Sequence, residues 1–140
     1  MPLQDPAASA EASASLTVGQ NDLASVLANA PGEAYPAVFA TTRMIGLMEM
    51  AAGRALQGSL EPGELSVGVV VDVKHTAATL PGAVVTAHAR FLGRDGKLYK
   101  FEVWAVDPGG EIGRGVHSRA IVKTSRLMEG AQKRAGTKGG

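Results

Sequence analysis

From Leu65 to Thr124 apolar and polar residues alternate through four stretches, LSVGVVVDVKH, AVVTAHARFL, KLYKFEVWAVD and EIGRGVHSRAIVKT. Each is rich in β-branched or aromatic side chains and bounded by Gly, Pro or Asp, so the period predicts four strands. The joints GRDGK, around Asp95 and Gly96, and DPGGE, around Pro108 and Gly109, are hairpin-sized. The last three strands are therefore expected to form an antiparallel meander.

Before Glu64 the period lengthens. TTRMIGLMEMAAGRALQ, from Thr41 to Gln57, sets Ile45, Met48, Ala52, Ala55 and Leu56 on one helical face and turns Arg43, Arg54 and Gln57 elsewhere. This predicts a long helix with Thr41 or Thr42 as its N-cap, ended by GSLEPGE. Upstream, SLTVGQ reads as a short first strand and NDLASVLANA as one or two helical turns behind an Asn21 or Asp22 cap. PGEAYPAVF is broken by two prolines and a glycine, yet Tyr35, Val38 and Phe39 give it apolar bulk that is unusual for a loop. A loop of that kind is expected to cover something.

The Ala-, Ser- and Pro-rich start and the end segment GAQKRAGTKGG offer too few large side chains to offset their ordering entropy. Residues 1–14 and 129–140 are thus read as flexible tails around one domain at 15–128, as suits a chain of 140 residues. The expected class is α+β, an antiparallel sheet wrapped around one long central helix. Its exposed sheet edges favour dimerisation.

Composition removes several functions. Charged residues are 19% of the chain and the formal net charge is only +1, with no Lys/Arg block interleaved with aromatics, so nucleic acid is not an expected partner. The absence of cysteine excludes disulfides, thiolate metal sites and a cysteine nucleophile. The start lacks a basic n-region and a continuous apolar run, so neither a signal peptide nor a membrane anchor is expected, and the cytoplasm is the default compartment.

One acidic residue, Glu49, falls on the line of Ile45, Ala52 and Leu56. It either sits at the border of the stripe with its tip in water, the common fate of a lone helical glutamate, or enters apolar surroundings and needs partners. His75 ends a strand before a small polar turn and is a candidate partner or a simple turn cap. Thr41 is by itself a helix cap. His88 is expected on the outer sheet face with Val84, Thr86 and Arg90, and Trp104 there with Lys100 and Glu102, where it can mark a subunit contact. His117 shares a face with Arg119 by the i, i+2 relation, which leaves a secondary pocket contact open, and simple exposure is the preferred reading. Met44, Met48 and Met50 are packing residues, and no cluster suggests a metal.

Three blocks in order, VFATTRMIGLMEMAA, GELSVGVVVDVKHTAATLPG and GEIGRGVHSRAIV, resemble the hotdog-fold thioesterases, and most closely the fluoroacetyl-CoA thioesterase group, from about Val38 to Val122. The resemblance implies a dimeric hotdog fold without cofactor, with acyl-CoA as substrate. It also implies a catalytic set of Thr41, Glu49 and His75 assembled from two subunits. It places Gly68 at the substrate carbonyl, Arg119 near the coenzyme A or acyl end, and the aromatics Tyr35 and Phe39 in a lid segment. NAPGEAY departs from the family's aromatic lid in its many small residues, so the expected substrate is a small or modest-sized acyl-CoA. Glu49 acts either as general base on water or as nucleophile, His75 handles the proton near the leaving thiolate, and Thr41 is given a hydrogen-bonding role because no dedicated base for it is evident. The rivals are a noncatalytic acyl-CoA binding module and a hotdog hydratase or dehydratase. Dimers pairing into tetramers are compatible with the sequence.

Overall fold

A computed structural model describes residues 5–136. Strand β1 (Glu11–Thr17) leads through two short 3-10 turns (Gln20–Asp22 and Ala24–Leu27) to helix α1 (Thr41–Leu56). Strands β2 (Glu64–His75), β3 (Val84–Asp95), β4 (Leu98–Asp107) and β5 (Gly110–Lys123) follow, then helix α2 (Thr124–Arg134). The strands make one antiparallel sheet in the order β1-β3-β4-β5-β2. The expected β3-β4-β5 meander is present, and β2 and β1 are its edges.

Alternation decides which side of the sheet meets the helix. Val85, Ala87, Ala89 and Phe91 of β3 and Phe101, Val103 and Ala105 of β4 are buried, and they close over Met44, Leu47, Met48, Ala51, Ala52 and Leu56 of α1. Alanines on both partners let the helix axis approach the sheet closely. The buried stripe is centred on Met44, Met48 and Ala51, a rotation from the face predicted through Ile45 and Ala55, both of which are only half-buried. On the outer face His88 stacks on Trp104 with ring centroids 5.1 Å apart, and the Arg114 guanidinium lies 5.1 Å from the Trp104 ring. These neighbours occupy Trp104 within its own chain.

The sheet curls around α1, and two glycines of β5 permit the close approach of β2. A Cβ on Gly115 would overlap the Asp72 carbonyl, and one on Gly113 would lie 2.7 Å from the Lys74 carbonyl and 2.6 Å from Met44 Sδ. Between Gly68 and Val70 the β2–β5 register slips, leaving Val69 in a bulge. Bulges re-aim the backbone at the point where they occur.

The two ends differ from the expectation. Residues 11–14 belong to β1, paired from Glu11↔Arg90 to Thr17↔Val84, and Ala14 is buried. Backbone hydrogen bonds to β3 order this segment where large side chains do not. Residues 129–134 continue α2, whose side chains are exposed. Residues 1–4 and 137–140 of the two expected tails lie outside the described residues.

Candidate active site

Neither Thr41 nor Thr42 caps α1. Ala40 is the N-cap, with its carbonyl taking the amides of Arg43 and Met44, both at 3.0 Å. The first turn is anchored instead by Asp22, which takes the Gly19 amide at 2.8 Å and Arg43 Nη2 at 2.6 Å, while its backbone carbonyl takes the Ala40 amide. These contacts, the Gly19 amide first, hold the Asp22 carboxyl below the ordinary range. With the helix start fixed by backbone, the Thr41 hydroxyl is free to point at the end of β2, where its Oγ1 lies 2.8 Å from His75 Nδ1.

This pair lines an apolar cleft of about 420 Å³ with Ala24, Pro36, Val38, Phe39, Thr76, Ala77 and Ala78. Phe39 forms its buried floor. Tyr35 is 46% exposed and is not among the lining residues. His75 Nε2 is buried and has no hydrogen-bond partner among the described residues. A buried polar atom beside a cleft is a group poised for a ligand. Burial holds the His75 imidazole below its ordinary range, opposed by the Ala77 backbone acting as hydrogen-bond acceptor, so the ring is a neutral base near pH 7.

Glu49 stands in a second cluster. Its carboxylate accepts from Arg119 Nη1 at 3.3 Å and lies 4.0 Å from His117 Nε2, with the side chain 39% exposed. Arg119 also donates from Nε to Ser66 Oγ at 3.0 Å and from Nη2 to the Ser66 carbonyl at 2.9 Å. Gly68 closes the cluster: a Cβ there would overlap Glu49 Oε2 and sit 3.2 Å from His117 Cε1. The absent side chain makes room for the carboxylate.

Of the residues expected at the site, Thr41, His75 and Phe39 meet at one place, and Glu49, Gly68 and Arg119 meet at another. Thr41 and Glu49 are eight residues apart, about 12 Å along the helix axis. Gly68 and His75 are seven apart, about 23 Å along an extended strand. One expectation is corrected: His117 is 1% exposed and belongs to the Glu49 cluster. Arg119, 9% exposed, is held by Ser66 and Glu49. The i, i+2 relation of His117 to Arg119 had left this contact open, with exposure preferred.

Burial is also the first cause holding His117 below its ordinary range. The unfolded chain binds protons on both rings below about pH 6.5 that the folded chain resists, so this contribution to stability is intact above that pH and lost as pH falls. The melting temperature is expected to hold from about pH 8 to 7 and to drop below about pH 6.5. A flat profile through that window would contradict two buried neutral imidazoles.

The model of the family described as fluoroacetyl-CoA-specific thioesterase matches residues 18–125. A fluoroacetyl-CoA thioesterase from Streptantibioticus cattleyicolor is 45% identical over 93 residues, 66% of this chain and 67% of the relative. A solved structure of a fluoroacetyl-CoA thioesterase in complex with fluoroacetate superimposes with a TM-score of 0.84 at 35% identity, over 91% of this chain and 97% of that one. A hypothetical protein of the thioesterase superfamily from Thermus thermophilus shares the fold at 24% identity, with a TM-score of 0.85 over 97% of this chain and 100% of that one.

Proposed function

From the premise that this chain belongs to the fluoroacetyl-CoA-specific thioesterase family and is an acyl-CoA thioester hydrolase of the hotdog fold, we propose that it cleaves short acyl-CoAs at a site shared between two protomers. The observation that carries the reading is the 2.8 Å contact of Thr41 Oγ1 with His75 Nδ1 at the mouth of the cleft. It supplies the dedicated base whose absence from the sequence had argued against Thr41 as nucleophile.

The Thr41 hydroxyl donates to Nδ1 of the neutral ring, leaving the proton of His75 on Nε2. Thr41 Oγ1 attacks the thioester carbonyl as Nδ1 takes its proton, giving a tetrahedral oxyanion. Backbone amides at the Gly68–Val70 bulge are suited to that charge, because preorganised donors act where charge develops. Collapse expels the coenzyme A thiolate, which receives the proton from the imidazolium. Water then opens the acyl ester on Thr41: Glu49 accepts the water's proton, and as the tetrahedral adduct collapses that proton passes to the departing Thr41 Oγ1, which frees the acid and restores both residues.

One chain cannot bring its own Glu49 to its own Thr41 across the separation along the helix, so the second protomer completes the site. Gly68, Val69, Val70, Val71 and Asp72 form an exposed run on the edge strand β2, the valines being 42–54% exposed. An open apolar edge invites pairing with another strand. A two-fold between Val71 and Asp72 lays the His75 end of one β2 antiparallel to the Gly68 end of the other. Such an isologous contact makes two equal sites, each with Thr41 and His75 from one protomer and the partner's Glu49.

The acyl group is read as short because the cleft is walled by Phe39, Val38, Pro36 and alanines. The test is thiol release from fluoroacetyl-, acetyl-, branched and longer acyl-CoAs, followed by intact-mass analysis of Glu49→Gln mixed with the best substrate. Turnover of short acyl-CoAs is expected, with Glu49→Gln accumulating one acyl group on Thr41. An acyl adduct on Glu49 of the native protein would transfer the nucleophile's role to the carboxylate, and bound but intact substrate would leave a binding module.

A further inference from the structure

His117 has no part in the hydrolytic steps above, yet it is the most deeply buried of the three histidines. Its two partners fix its tautomer. Nδ1 lies 2.8 Å from the Val70 carbonyl, which can only accept, so Nδ1 carries the hydrogen. Nε2 is then a lone pair, and it accepts from Arg119 Nη1 at 3.2 Å. Arg119 Nη1 also donates to Glu49 Oε2 at 3.3 Å.

Nε and one hydrogen of Nη2 go to Ser66, and the two hydrogens of Nη1 have one acceptor each, His117 and Glu49. The 4.0 Å separation of His117 Nε2 from Glu49 Oε2 is too long for a direct hydrogen bond. The ring therefore acts on the carboxylate through the guanidinium. Around it stand Glu49 from α1, Arg119 on its own strand, the Val70 carbonyl from β2, and Phe101, which is its register partner on β4.

We infer that His117 is a positioning residue, one that ties the carbonyl beside the β2 bulge to the Arg119 nitrogen aiming Glu49, so that oxyanion donors and carboxylate are held in register. The inference rests on the reading that Glu49 works on the acyl group. Burial keeps the ring neutral, consistent with an acceptor at Nε2. A protonated ring would turn a hydrogen toward Arg119.

Two amides separate the two halves of the bridge. His117→Asn places a donor near Nδ1 and nothing near Nε2, whereas His117→Gln reaches the Nε2 position with an acceptor. Both are polar and no larger than the ring, and rates are compared below the melting transition of each. His117→Asn is expected to lower kcat for a short acyl-CoA about 10- to 100-fold with KM nearly unchanged, the scale of a small misplacement of a reacting group. His117→Gln is expected to restore most of that loss. Native kcat in His117→Asn, equal losses in the two variants, or a change confined to KM would each overturn the inference. Glu49→Gln measured alongside keeps the two ideas apart: if it turns over at the native rate the reading of Glu49 fails, and if it is impaired while His117→Asn is not, only the role of His117 fails.

Discussion

Replacing His75 with alanine is expected to lower kcat by about 10²–10⁴-fold, the usual contribution of a positioned general base. A threonine hydroxyl is a weak nucleophile at neutral pH, and the only base within hydrogen-bonding reach of Thr41 Oγ1 among the described residues is His75 Nδ1. Thr41→Ala is expected to fall as far, since nucleophile and base act as one unit, while Thr41→Ser keeps the oxygen and most of the rate. Single-turnover thiol release at saturating substrate checks all three. A collapsed His75→Ala beside a near-native Thr41→Ala would mean that His75 activates water directly.

The second large effect is expected at a residue with no side chain. Gly68→Ala places a methyl group where Glu49 Oε2 now sits and against His117 Cε1. The obstacle to relaxing it is that Glu49 is held through Arg119, which is itself tied to Ser66 and His117. The carboxylate must swing out, breaking its 3.3 Å contact with Arg119. A displacement of about 1 Å in a reacting group costs roughly 100-fold in rate, and Gly68→Ala is expected to lose at least that much in kcat. A variant with native secondary structure and native kcat would show that Glu49 need not stand where it does.

Strand periodicity was legible because each strand of an antiparallel sheet with one covered face writes its burial into its own alternation. Val85, Ala87, Ala89 and Phe91 were separable from His88 and Arg90 without any knowledge of the neighbours. The glycines and aspartates at residues 95–96 and 107–110 marked the hairpins in the same local way. Segments held mainly by backbone pairing were legible only in part. Of the β1 stretch EASASLT only the end from Ser15 reads as strand; its side chains are small, and its order comes from pairing with β3, a strand about 70 residues distant. α2 has few apolar residues and none of them buried, and the polarity of its stretch hid it among the tail residues.

Glu49 was legible as an anomaly, since a carboxylate on the line of Ile45 and Ala52 asks for partners. Their identity was not. GVHSRAIV alternates without a clear apolar side, so nothing in it says which face curls toward α1, and His117 was consequently read as exposed. Thr41 was misread as a cap for a related reason: cap geometry depends on where Ala40 and Asp22 place the backbone, and Asp22 acts from outside the helix.

By itself the sequence determined the central helix and the four long strands, the order of the hairpins and the residue types available for thioester chemistry, because each follows from contacts within a few residues along the chain. Only the tertiary structure decided which groups meet. It set Thr41 against His75 across 34 residues and Arg119 against Glu49 across 70, and it left those two clusters apart on one protomer. The reason is physical: a hydrogen bond depends on ångström distances, and those between remote residues are set by how the sheet curls on its helix.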